Sequence, residues 1–133
     1  MQAAAALLGS PLMQDFCAIS LSDLLTPWET IQQRLEAAAK GDFVVALYNP
    51  RSRARTRQLP EARRILLEHR SPETPVGIVR DAFRPGESVT ITNLGQLEQH
   101  CQAVDMVSIV VVGNSTTYIY NGYMVTPRGY EEK

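Results

Sequence analysis

Cysteine is almost absent from the 133-residue sequence, with Cys17 and Cys101 its only two. Two cysteines are too few for a disulfide scaffold, and neither has a neighbour at the spacing a zinc site needs. Both are expected to be buried, reduced thiols of a cytoplasmic protein. An excess of one charge is also missing. Thirteen Lys and Arg against fourteen Asp and Glu leave a net charge of -1, which argues against a general nucleic-acid binder. No apolar run approaches the roughly 20 residues of a membrane span. The alanine-rich start carries no Lys or Arg ahead of its apolar stretch, as a signal peptide would. There is no GxGxxG, Walker loop or HExxH, and neither a Ser-His-Asp nor a Cys-His pattern can be argued. What remains is a chain with 44% hydrophobic and 20% charged residues, the composition of a packed domain.

The hydrophobic pattern divides that domain into alternating elements. Ala3 to Leu8 reads as a short helix with hardly any polar face, of the kind that packs inside something larger. Strands are expected over 16–21, 43–48, 76–79, 88–92 and 109–112. The run Phe43 to Tyr48 is apolar throughout and so buried on both faces. Thr26-Pro27-Trp28-Glu29 spells a capping box, opening a helix that buries Trp28, Ile31, Leu35 and Ala38 or Ala39 and stops at Lys40-Gly41. A second helix starts near Arg57 to Leu59, because Pro60 is tolerated only in a first turn. A short helix covers Leu94 to Cys101, and Asn121-Gly122 marks a hairpin over 118–125. Together these predict an α/β fold with a mixed, mostly parallel sheet of about five strands flanked by helices.

Three loops carry possible chemistry. Tyr48-Asn49-Pro50-Arg51-Ser52-Arg53-Ala54-Arg55-Thr56-Arg57 follows a buried strand, and in open α/β sheets ligands bind at such strand ends. Its four alternating arginines offer planar, bidentate donors for carboxylates or phosphates, although a solvated basic loop would look the same. Arg80-Asp81-Ala82-Phe83 follows another strand and is equally compatible with a salt-bridged loop. Gly113-Asn114-Ser115-Thr116-Thr117 follows the last buried strand, where small residues admit a ligand to the backbone or simply make a turn. His69 suits the end of a helix, where a cation complements the dipole.

Four segments together resemble the tetrapyrrole (corrin) methylases, in the branch that methylates C17 of precorrin-3B. They are Asp15 to Trp28, Ala46 to Ser52, Val112 to Ser115 and Met124 to Tyr130. The resemblance spans nearly the whole chain in order and spacing. It implies an S-adenosylmethionine (SAM)-dependent C-methyltransferase that acts on a corrin precursor, with ring contraction, in cobalamin biosynthesis. The family's glycine-rich first loop and Gly-Asp-Pro motif are absent here. The resemblance therefore implies the C-terminal domain over 15–133, with 1–14 as the end of a truncated N-terminal domain. The strand order it implies runs first, second, fifth, third, fourth.

Carried over position by position, Tyr48, Asn49, Ala82, Gly113 and Asn114 would line SAM, and Arg51 and Arg53 would meet substrate carboxylates. The partners implied are the corrin precursor and a second copy in a cytoplasmic homodimer, with no metal, nucleic acid or membrane. A lone α/β module binding an anionic ligand or RNA through the arginine loop, without catalysis, is the alternative. The chain alone is expected to fold, to bind SAM weakly or not at all because one wall cannot enclose a ligand, and to self-associate through an exposed Ala3–Leu8 face and cleft face. Titration calorimetry with SAM and light scattering test this, and micromolar SAM binding by a monomer would contradict it.

Overall fold

The computed structural model describes residues 2–12, 15–52 and 55–127. Helix α1 (Gln2–Leu8) runs into the short strand β1 (Gly9–Ser10). Then come β2 (Phe16–Ser20), α2 (Trp28–Lys40), β3 (Val44–Tyr48), α3 (Gln58–Leu67), β4 (Pro75–Arg80) and β5 (Ser88–Asn93). A 3-10 helix (Leu97–Ala103), β6 (Ser108–Val112), β7 (Tyr118–Tyr120) and β8 (Tyr123–Val125) complete the order. Among the described residues no helix is long and apolar enough to cross a membrane.

Five strands pair in the order β2-β3-β6-β4-β5, the order the resemblance implies. The sheet is mixed, as expected, but not mostly parallel. Only β2 and β3 run parallel, whereas β3–β6, β6–β4 and β4–β5 are antiparallel. The cause is the route into β6. After β5 has descended, the seven-residue 3-10 helix rises ~14 Å at about 2 Å per residue, close to the height of a five-residue strand. The chain is back at the top before β6 begins. This helix also differs from the expected Leu94–Cys101 in being tighter and starting later.

Each central strand buries both faces. Val45, Leu47, Val76, Ile78, Val110 and Val112 share a core with α2, α3 and the 3-10 helix. On the opposite face, Val44, Ala46, Val79 and Val111 meet Ala4 and Leu8 of α1 and Met124 of β8. The expectation that the Ala3–Leu8 face lies exposed fails here. Ala4, Ala5 and Leu8 are buried, because the second face of the sheet is the apolar partner that α1 requires. Gly77 makes the approach possible: a Cβ there would stand 2.3 Å from Leu8 Cδ2 and 2.9 Å from Met124 Sδ.

Helix α2 begins differently from the capping-box expectation. Pro27 is itself the N-cap, with an extended ψ of 143° and no side-chain cap bond, and its carbonyl accepts from the Thr30 and Ile31 N–H groups. At the other end Gly41 is right-handed, with φ -78°, and the left-handed residue is Asp42 at φ 59°. Gly41 is needed for space instead, since a Cβ would sit 2.7 Å from the Phe43 ring.

One buried cation ties these pieces together. Arg70 is 8% exposed. It donates to the carbonyls of Gly113 at 2.7 Å and Ala38 at 3.1 Å, and to that of Phe43. Burial lowers its pKa, opposed by the nearby charge of Asp42, and its Nε has no hydrogen-bond partner.

Arg70→Met should cost at least about 3 kcal/mol in urea denaturation, because it removes three charge-assisted bonds to carbonyls in the interior. Gly77→Ala should cost roughly 1–3 kcal/mol by overpacking. In the double variant with Leu8→Ala the loss should fall below the sum of the two single losses, since both act on one contact.

Candidate functional site

The strand directions decide which loops meet. Ser20 pairs with Tyr48, Leu47 with Val110, and Arg80 with Ser108. Strands β2, β3 and β4 therefore end, and β6 begins, along one edge. Tyr48, Asn49 and Ala82 come together there, as do Arg51 and Arg80. Gly113 and Asn114 do not. Val112 pairs with Val45 and Val76, and the Gly113 N–H donates to the Pro75 carbonyl, which places both residues at the opposite edge. The antiparallel course of β6 is the reason. Arg53 lies outside the described residues.

Gly113 and Asn114 instead belong to a polar knot between the sheet and the hairpin. Asn114 Oδ1 accepts from the Thr116 N–H at 2.9 Å and from the Thr117 hydroxyl at 3.2 Å, and that hydroxyl lies 2.7 Å from that of Thr126. Asp42 accepts from the Ser115 N–H and hydroxyl. A Cβ on Gly113 would come within 2.6 Å of Thr117 Cβ. Turn chemistry accounts for this segment.

The first edge is held in an unusual backbone. Asn49, Asp81 and Phe83 have φ of 49°, 50° and 60°, a region disfavoured for residues with a Cβ and most of all for an aromatic one. Cross-bonds keep them there. Asn49 Nδ2 donates to Ser20 Oγ at 3.1 Å, the Asp81 N–H to the Val107 carbonyl at 3.2 Å, and the Phe83 N–H to Glu87 at 2.6 Å. Arg51 Nη1 donates to the Cys101 carbonyl at 2.8 Å. Arg55 donates to the Asn49 carbonyl and lies against Met106 Sδ.

Two cavities open here. One of about 640 Å³ is lined by Arg51, Ser52, Thr56, Arg80, Met106 and Val107 among others. The other, about 370 Å³, is lined by Asp23, Trp28, Thr56, Arg57, Gln58 and Glu61. Thr56 faces both, so the arginine loop is their common wall. Trp28 Nε1 donates to Glu61 at 2.9 Å.

Met106 and Val107, each 47% exposed, are the residues that sequence reasoning missed. They precede the expected strand 109–112, and the direction of β6 places them at the site. Leu25, 99% exposed, belongs to the loop that follows β2 at the same edge. An apolar floor under several guanidinium groups suits a ligand with an apolar body and an anionic rim.

Arg80 Nε pairs with Asp105 at 2.8 Å. Burial works against the charge of Asp105. The Arg80 bond, the Val107 N–H and the Ser108 hydroxyl outweigh it and hold the carboxyl below the usual range. Burial pushes the thiols of Cys17 and Cys101 up, and both cysteines are free. Away from this edge, Glu36, Glu68 and His69 bring potential ligand atoms within 4.8 Å of one another. Glu36 is engaged by His69 at 2.7 Å, and Glu68 by Arg64 at 3.0 Å.

Comparison with known proteins places this geometry. Residues 1–98 match the family model of the Tetrapyrrole (Corrin/Porphyrin) Methylases. The chain is 58% identical to the cobalt-factor III methyltransferase of Priestia megaterium, over 97% of this chain and 24% of that protein. It is 54% identical to a probable cobalt-factor III C(17)-methyltransferase of Salmonella typhimurium, over 96% of this chain and 52% of that one. The crystal structure of the methyltransferase CobJ superposes with a TM-score of 0.88 at 39% identity, covering 96% of this chain and 52% of that one. The chain thus spans about half, or less, of the length of these relatives.

The Asp105 carboxyl has its pKa lowered by folding. Its contribution to stability is therefore complete above the ordinary carboxylate range near pH 4 and is lost as pH falls through the lower folded value. Thermal unfolding from pH 6 to pH 2 should show a steeper acid limb for the wild type than for Asp105→Asn. Parallel curves would contradict the assignment.

Proposed function

Because the chain belongs to the tetrapyrrole (corrin/porphyrin) methylases, we propose that it forms one wall of the cleft of a SAM-dependent methyltransferase. The reaction is methylation of a corrin precursor at C17, with ring contraction, at the precorrin-3B or cobalt-factor III stage of cobalamin biosynthesis. The observation that carries this reading is the arginine loop at the ends of the buried strands, set beside a cavity with Met106 and Val107 on its floor. A corrin precursor offers a large apolar body edged with acetate and propionate groups, and that loop offers the complementary charge. The names of the relatives at 58% and 54% identity support the same reaction.

In this reading 15–133 forms the C-terminal domain and 1–14 the end of the preceding one, within a cytoplasmic homodimer. The backbone edges at Tyr48, Asn49 and Ala82 line the methyl donor, and Val107 joins them. Their fit rests on two features. Ala82 is small and packs against the second core, which leaves its main chain approachable. The neighbouring cavity is within the usual range for a ligand of this size. SAM, when bound, supplies an already activated methyl group. The residues of this chain bind and orient the reactants and exclude water. Arg51 and Arg53 contact substrate carboxylates.

Methyl transfer from labelled SAM to the corrin precursor is the direct test, with binding measured alongside. In the complete enzyme Arg51→Ala should weaken corrinoid binding by about tenfold, the worth of one charge-assisted contact, while SAM affinity barely moves. Equal loss of both, or loss of neither, would return the loop to a solvated surface.

A further inference from the structure

The pair at the floor of the larger cavity differs from the other arginine contacts. Arg51 and Arg55 each donate through Nη1 to a main-chain carbonyl. Arg80 donates instead to a carboxylate, and only through Nε. Asp105 is itself fixed from behind, accepting from the Val107 N–H at 3.0 Å and the Ser108 hydroxyl at 3.1 Å. Its own N–H donates to Ser108 Oγ. The side chains of the pair are 44% and 43% exposed, so the ion pair itself is weak, and the Nε contact leaves the outer edge of the Arg80 fork turned away from Asp105. Among the described residues Nη1 and Nη2 of Arg80 have no hydrogen-bond partner. The outer edge of the fork, with its two parallel N–H groups, is the geometry that binds a planar carboxylate bidentately. Met106 and Val107 lie beside it in the same cavity. The nearby charges are those of Asp105 and Asp81 against Arg80 and Arg51.

We propose that Arg80 is a further carboxylate-reading group of this cavity, beside Arg51, and that Asp105 is its positioning residue. The proposal rests on the methyltransferase reading for the identity of the ligand, but not for the chemistry of the clamp. The carboxylate has two possible sources, a side chain of the macrocycle or the amino-acid end of the methyl donor.

Calorimetry on the wild type, Arg80→Gln, Arg80→Lys and Asp105→Asn separates them with two pairs of probes. One pair is a corrinoid polycarboxylic acid and its neutral polymethyl ester. The other is S-adenosylhomocysteine and 5′-methylthioadenosine, which lacks the carboxylate. Arg80→Gln should weaken the acid member of one pair by about tenfold and leave its neutral counterpart unchanged. Arg80→Lys should not restore it, because an ammonium lacks the fork. Asp105→Asn should weaken it by a smaller factor. Equal affinities for every probe in wild type and Arg80→Gln would overturn the proposal.

A second readout is independent of methylation. The Arg80 Nε–H resonance should shift as acetate is titrated, and the shift should shrink in Asp105→Asn. A shift with no binding of the corrinoid acid would sink the methyltransferase reading and keep the clamp. No shift would sink the clamp. An undiminished shift in Asp105→Asn would remove the positioning role.

Discussion

A single guanidinium holds the sheet and its helices in register. Arg70 reaches the carbonyl of Ala38 near the end of α2, that of Phe43 just before β3, and that of Gly113 just after β6. Two of these points flank the turn between α2 and β3, and the third lies some seventy residues further on. A buried cation without a contacting carboxylate is costly, and burial does act on Arg70 in that sense. Main-chain dipoles take the place of a counter-ion. Because β3 and β6 are adjacent central strands, fixing one end of both fixes where the other end emerges, and that other end is the candidate site.

At that edge the structure accepts unfavourable local geometry. Three residues with a Cβ stand at positive φ, and each is held by a hydrogen bond to a neighbouring strand end, a neighbouring loop or its own loop. The strain is kept because the sheet beneath is rigid and buried on both faces. The result is a set of loops whose main chain is already arranged around the cavities. That is the contribution expected of a protein whose reactants bring their own reactivity and need mainly to be oriented.

Much of this was legible in the residues. The unbroken apolar run ending at Tyr48 can only be a strand covered on both sides. Ile31, Leu35, Ala38 and Ala39 fall on the buried face of α2 as their spacing demands. The sense of β6 was not legible. Alternation of strands and helices suggests parallel pairing, and whether a chain re-enters a sheet from above or below depends on a crossover whose length and tightness are tertiary matters. Two consequences escaped for the same reason. Gly113 and Asn114 lie at the opposite edge, and nothing in the residues marks Met106 and Val107 as facing a cavity. The partner of α1 was equally hidden, because local sequence announces that a helix is apolar but not which surface will cover it. The Thr26 cap failed for a local reason: Pro27 took an extended ψ and became the cap itself.

The common wall between the two cavities has a consequence of its own. Thr56 faces both spaces, and Arg55 anchors the same loop to Asn49 and Met106. An occupant of either chamber that touches Thr56 rests on the wall of the other. Whatever factor one occupant imposes through that wall on the affinity of the second, the second imposes on the first.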